Sequence, residues 1–161
     1  MTTPGAVDAS DPFTPQARHL AVVSGGSGDP SQTRMLAERM AESASAALSE
    51  HGVVPQIHLI TLRELAVDIA QALVTFAISP ALRAALDEVA QADAVIAVSP
   101  TYKASYSGLF KSFWDLAEPT SVVGVPVRLG ATGGTARHSL MIDTAMRPVS
   151  YTHLTLPTNR E

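Results

Sequence analysis

AVIAVSPTYKASYSGLFKSFWD, residues Ala94 to Asp115, is the stretch whose reading decides the fold. Its first five residues, Ala94 to Val98, form an unbroken small and β-branched run that ends at Ser99-Pro100, as a strand buried on both faces does. That predicts a central parallel strand. Beyond it, Tyr106, Leu109, Phe110, Phe113, Leu116 and Ala117 recur at the spacing of one helix face. The unit is strand, loop, helix. The loop, Pro100 to Ser107, joins a proline, two tyrosines, a lysine and small residues at the carboxyl end of a strand, where open α/β sheets bind ligands. A hydroxyl-rich, aromatic loop there suits a flat ring with polar edges.

The same unit repeats outward in both directions. Arg18 to Ser24 reads as a short strand, followed by GGSGDPSQT and a helix from about Ser31 with Leu36, Met40, Ala44, Ala47 and Leu48 on one face and Glu38, Arg39 and Glu42 on the other. Gly52 suits the left-handed position after that helix. Unpaired N–H groups at the helix start, together with the hydroxyls of Ser24, Ser27, Ser31 and Thr33, favour a phosphate monoester. The spacing is neither that of a dinucleotide glycine fingerprint nor that of a P-loop. The loop also reads as a cap, with Asp29 at the N-cap, Pro30 at N1 and Gln32 at N3; Asp29 should then point outward, because its carboxylate would repel a dianion.

Val53 to Leu62, with Ile57, Leu59 and Leu62, predicts a second strand. Helices follow over Glu64 to Phe76, on Leu65, Ile69, Leu73 and Phe76, and over Pro80 to Ala92, on Leu82, Leu86 and Val89. Residues 63 to 92 bring together no cluster of titratable groups. A strand over Val122 to Leu129 then runs into Gly130-Ala131-Thr132-Gly133-Gly134-Thr135, and a helix spans about Arg137 to Arg147. By themselves Gly133 and Gly134 read as a flexible turn between strand and helix. The alternation predicts a parallel sheet of order 2-1-3-4, with strands near residues 18 to 24, 53 to 62, 94 to 99 and 122 to 130.

Composition removes several function classes. A chain of 161 residues fits one domain. It has no apolar run near the ~18 to 20 residues that cross a bilayer. The start, MTTPGAVDASDPFTPQ, has neither a basic region nor an apolar core and reads as a disordered tail over residues 1 to 17. Without cysteine there is no disulfide, thiolate metal site or cysteine nucleophile. A net charge of −4 with scattered basic residues argues against nucleic acid as partner. His19, His51, His58, His138 and His153 show no metal-ligand spacing. The expectation is a cytoplasmic protein with no metal and no membrane partner.

PTYKASYSGLFKSFWD resembles the flavin loop of the NADPH-dependent FMN reductase family, of the flavodoxin-like superfamily, whose pattern is close to P-x-Y-x-x-S-x-x-G-x-x-K-x-x-x-D. Pro100, Tyr102, Ser105, Gly108, Lys111 and Asp115 stand in register. Ser24, Gly25, Ser31 and Thr33 resemble the family's phosphate loop, and ATGGTARHSL its third ligand loop. The resemblance implies a flavodoxin-like doubly wound sheet that binds FMN. Ser24, Gly25, Ser31 and Thr33 would hold the phosphate, Pro100, Thr101, Tyr102 and Lys103 would lie along the isoalloxazine, and Gly133 and Gly134 would meet its pyrimidine edge. It further implies hydride transfer from NADPH or NADH to flavin N5, which needs positioning more than acid–base groups, so no catalytic side chain is named. Supply of reduced flavin to a partner monooxygenase and a homodimer, with the segment after the second strand at the interface, are also implied. The alternatives are a flavodoxin-type electron carrier, for which −4 of scattered charge offers little of an acidic docking face, a quinone or azo-dye reductase on the same fold, and a relative that has lost the flavin.

The superfamily pattern has a fifth strand and a closing helix beyond Arg147-Pro148. Here the chain continues as SYTHLTLPTNRE, which resembles translated sequencing-adapter read-through. The expected organisation is therefore a domain over residues 18 to 149, incomplete at its end, followed by a non-native tail over 150 to 161. On that reading the strand from Val122 is an open sheet edge, and the chain a poor enzyme.

Overall fold

The computed structural model describes residues 16–135 and 138–153. The elements in chain order are β1 (Gln16–Ser24), α1 (Gln32–Glu50), β2 (Val53–Thr61), a 3-10 turn (Leu62–Leu65), α2 (Ala66–Thr75), α3 (Pro80–Ala90), β3 (Ala94–Tyr102), β4 (Ser105–Tyr106), α4 (Gly108–Leu116), β5 (Val127–Thr132), a π-helical turn (Ile142–Met146) and α5 (Arg147–His153). The long strands order β2-β1-β3-β5 and pair in parallel, with Leu20 opposite Ala94 and Val95 opposite Val127. This is the expected 2-1-3-4 arrangement. The additional strand, β4, is a two-residue hairpin arm antiparallel to the end of β3. Pro55 lies on β2, where an edge strand tolerates the missing N–H.

Side chains alternate across the sheet. Ala21, Val23, Val95 and Ala97 face a large core with Ile69, Leu82, Leu86, Val89, Phe110, Phe113 and Met146, contributed by α2, α3, α4 and the π turn. Leu20, Val22, Ile96 and Val98 face a smaller core closed by Ala37 and Ala41 of α1. Among the described residues no single helix is long and apolar enough to cross a membrane. The bent pair Leu62–Thr75 and Pro80–Ala90 reaches that composition only jointly, at 93°, and buries Leu62, Ile69, Leu82 and Val89 in the core.

The structure corrects several boundaries. The last strand starts at Val127, not Val122, because the chain from 118 to 125 is spent on turns that bond Ser121 to Glu118 and Val125 to Val122, with Gly124 at φ 76°. Val122 is buried from within a turn, which is why it reads as a strand residue. On β2 Ile60, at the strand's end, and Leu62 beyond it are buried in the larger core and Leu59 packs against the smaller one, while Ile57 is 43% exposed. On α1 the expected Leu36, Met40 and Ala44 do pack against the smaller core, but the fully buried residues are Thr33, Ala37 and Ala41, and Ala47 is exposed. Beyond Thr75 the chain leaves the helix through a left-handed Phe76, whose ring is exposed.

The helix expected to end at Arg147 instead continues as α5 to His153. Pro148 has no N–H for the carbonyl four residues back, and the turn before it widens so that the Arg147 N–H reaches the Ile142 carbonyl, five residues back. Of the expected tails, residues 1 to 17 and 150 to 161, the parts over 1 to 15 and 154 to 161 lie outside the described residues, while Gln16 and Ala17 belong to β1 and residues 150 to 153 to α5.

Candidate functional site

The β1–α1 loop is built around space that side chains leave free. Ser24 ends β1 on the same face as Leu20 and Val22, and is fully buried; its Oγ meets no hydrogen-bond partner among the described residues. The Gly25 N–H continues the sheet by donating to the Val98 carbonyl at 2.8 Å. A Cβ on Gly26 would stand 2.3 Å from the Ser31 hydroxyl and 2.9 Å from Thr33 Cβ, so only glycine fits. Ser31, not Asp29, is the N-cap: its backbone is extended and its Oγ accepts the Arg34 N–H at 3.2 Å. Asp29 does point outward, 3.0 Å from Arg63. Arg34 pairs with Glu38 at 2.8 Å, and that hydrogen bond, more than charge alone, holds its guanidinium above its ordinary value.

The β3–α4 loop is a hairpin, a shape its sequence conceals. Lys103 and Ala104 sit at φ 50° and 65°, the left-handed pair that a two-residue connection between Tyr102 and Ser105 requires. Glycine or asparagine would signal such a turn; lysine and alanine adopt it at a cost in backbone strain. Two buried serines anchor its base. Ser99 Oγ accepts the Ser107 N–H at 2.9 Å and donates to the Pro100 carbonyl at 3.0 Å. Ser107 Oγ donates to the Gly25 carbonyl at 2.9 Å and accepts the Phe110 N–H at 3.2 Å, so one hydroxyl caps α4 and ties the second loop to the first. Higher up, Tyr102 Oη meets Ser27 Oγ at 3.0 Å, and half of the tyrosine remains exposed.

The loop after β5 closes the third side. Thr132 Oγ1 lies 2.8 Å from Thr33 Oγ1, which joins the end of β5 to the first turn of α1. A Cβ on Gly133 would be 3.3 Å from Thr101 Oγ1 and 3.9 Å from His138 Cβ. A cleft of ≈ 210 Å³ opens there, lined by Thr101, Ala131, Gly133, Thr135, His138 and Ile142, among others.

The structure thus brings Ser24, Gly25, Ser31, Thr33, Pro100, Thr101, Tyr102 and Gly133 to the carboxyl edge of one sheet. Lys103 and Gly134 reach that edge but stand exposed, Gly134 with nothing near its would-be Cβ. Lys111 and Asp115, matched in the sequence pattern, form an ion pair with each other along α4. Sequence reasoning missed Ser99, Ser107, Thr132 and His138. The serines and Thr132 carried one available signal, a small hydroxyl residue at a strand end or N-cap. A larger cleft, ≈ 730 Å³, lies at the opposite edge, between the far half of α1 and Leu20, Ala94, Ile96 and Val127, away from all three loops.

Residues 19–160 match the family described as NADPH-dependent FMN reductase. The NADH-dependent FMN reductase SfnF of Pseudomonas putida is 41% identical over 130 residues, which cover 81% of this chain and 68% of that protein. The FMN reductase (NADPH) of Pseudomonas aeruginosa is 34% identical over 140 residues, 86% of this chain and 73% of that one. Among solved structures, an oxidoreductase from Corynebacterium diphtheriae superposes with a TM-score of 0.83 at 37% identity, over 89% of this chain and 80% of that chain. The apo form of an NADH:FMN oxidoreductase, EmoB, gives 0.73 at 30% identity, over 84% and 69%. The flavodoxin-like fold is thus shared with an NADH:FMN oxidoreductase, and the chain is an oxidoreductase belonging to the NADPH-dependent FMN reductase family.

Proposed function

We propose that the three loops hold FMN while a reduced nicotinamide delivers hydride to its N5, and that the observation carrying this reading is the buried, unpartnered Ser24 hydroxyl beneath the Gly26 turn. An orphaned buried hydroxyl costs free energy unless a ligand completes it. Beside it stand the first turn of α1, which has no acidic residue, and the Ser31 and Thr33 hydroxyls. This donor set fits the phosphate end of FMN. Thr33 remains able to donate when Thr132 supplies the proton of their shared bond, since a hydroxyl has one donor and two acceptor positions. Pro100, Thr101, Tyr102 and Lys103 form one wall for the isoalloxazine, and Gly133 and Gly134 approach its pyrimidine edge.

When bound, the flavin supplies the two-electron acceptor and donor chemistry. The chain's own residues bind and orient. Ser107 fixes the first two loops together, Tyr102 and Ser27 set the hairpin's height, and Thr132 holds α1 against the sheet. Preorganisation of this kind suits hydride transfer, which depends on placement of two stacked rings. The relatives are named for NADH and for NADPH, so the donor is written NAD(P)H. Release of reduced flavin to a monooxygenase and action as a homo-oligomer in the cytoplasm belong to the same proposal.

The test is a double substitution, Ser31→Ala with Thr33→Ala, followed by titration with FMN and with riboflavin. Loss of charge-assisted hydrogen bonds worth ~1.5 to 3 kcal/mol each should weaken FMN by at least tenfold and leave riboflavin almost unchanged. Equal losses for both ligands would show that this loop does not meet phosphate.

A further inference from the structure

We infer that His138 binds the pyrimidine edge of the flavin and favours its reduced form, an inference that rests on the flavin reading above. The histidine lies beyond β5 and lines the ≈ 210 Å³ cleft with Thr101, Ala131, Gly133, Thr135 and Ser139. Its backbone N–H is engaged with the Thr135 carbonyl at 3.4 Å, while its ring makes no hydrogen bond or ion pair among the described residues. The residue is only half-buried. Among the described residues no carboxylate and no second cation lines the cleft from β3, from β5, from the loop between Gly133 and Thr135 or from the π turn. A developing negative charge there would find the imidazole as its one titratable neighbour among the described lining residues.

The chemistry supplies that charge. Hydride carries two electrons and one proton to flavin N5, which oxidises the nicotinamide and leaves the reduced flavin with a negative charge shared between N1 and the C2 carbonyl. An imidazolium, its proton drawn from solvent, donates N–H to that edge; neutral imidazole does the same for the oxidised ring with less gain. Gly133 permits the approach, because a Cβ there would already crowd Thr101 Oγ1 at 3.3 Å. The residue therefore acts on the difference between two redox states, which is a property that a structural histidine lacks.

The experiment uses the full chain and its His138→Gln and His138→Lys variants. Oxidised and photoreduced FMN are titrated separately, and the midpoint potential of bound FMN is measured. Loss of one charge-assisted hydrogen bond at a half-exposed position should cost His138→Gln about tenfold in reduced-FMN affinity and less than about twofold for oxidised FMN. For a two-electron couple that roughly five- to tenfold difference lowers the potential by about 20 to 30 mV. His138→Lys, which keeps a cation, should retain most of the preference. A wild-type chain that binds FMN with a potential unmoved by His138→Gln overturns the inference and leaves the flavin reading standing. A wild-type chain that binds neither redox form overturns both.

Discussion

The two faces of the sheet use alternate residues of the same strands and are finished differently. On one, Phe110, Phe113 and Trp114 of α4 stack edge to face at 5.6 to 6.0 Å over Val95 and Ala97, and α2, α3 and the π turn close around them. On the other, α1 is the one helix among the described residues that covers Leu20, Val22, Ile96 and Val98, with the small residues Ala37 and Ala41 buried against them. Small residues let α1 come close at its start, where Thr33 reaches Thr132, and farther along Met40, Ala44 and Leu48 line an open cleft. One face supplies stability. The other holds a helix N-terminus in place over the loop that would take phosphate, and is tight only where that loop needs it.

The difference is broken most sharply by truncating one side chain on each face. Phe113, fully buried, should cost ~3 to 5 kcal/mol as Phe113→Ala, since a cavity is added to the lost burial. Met40 borders the open cleft, so Met40→Ala should cost about 1 kcal/mol, below the range for enclosed methionines. Urea unfolding of both variants measures the contrast. Similar losses would mean that the α1 face is packed as tightly as the other.

Two glycines sharpen the same contrast at the level of function. Gly26→Ala forces a methyl to within 2.3 Å of Ser31 Oγ and must displace the loop's hydroxyls; Gly130→Ala meets Met40 Sδ at 2.8 Å, the far end of a flexible chain beside open space. FMN affinity should fall on the order of 10- to 100-fold in the first and within about twofold in the second, taking one or two charge-assisted bonds as the loss. Calorimetric titration decides it, and a Gly130→Ala loss as large as that of Gly26→Ala would place the ligand elsewhere.

Sequence patterning carried the fold and the three loops, because a doubly buried strand and a glycine-rich strand-to-helix turn are local signals. It failed where tertiary context decided the outcome. Val122 and Ile57 are apolar at strand-like spacing, yet Val122 is pinned inside a turn and Ile57 faces outward from an edge strand. The hairpin at Lys103-Ala104 has no turn residue to announce it, and is held instead by Ser99 and Ser107 beneath it. Thr132 meets Thr33, and His138 comes to line a cleft with Thr101, only because β5 lies beside β3, so their placement is written in the pairing of strands and not in any spacing along the chain.

The smallest effect lies at the edge opposite the loops, where Asp93 precedes β3. Its carboxylate accepts the His19 N–H at 2.8 Å and an Arg18 N–H at 2.9 Å, and those bonds, His19's first, hold it below its ordinary value of 3.8. A carboxyl group depressed on folding contributes stability that is present above the unfolded value and is lost as pH falls through the folded value. Asp93→Asn should therefore lower the melting temperature slightly at neutral pH, and the gap from wild type should close on acidification below 3.8. The group is exposed to water, so screening keeps the gap small, and added salt should narrow its Arg18 share further. Melting curves at about pH 7 and about pH 3 suffice, with both chains compared at each pH. A gap that stays constant between them would assign the effect to the lost shape of the turn and not to its charge, and would leave α1's face anchored at that edge by backbone pairing alone.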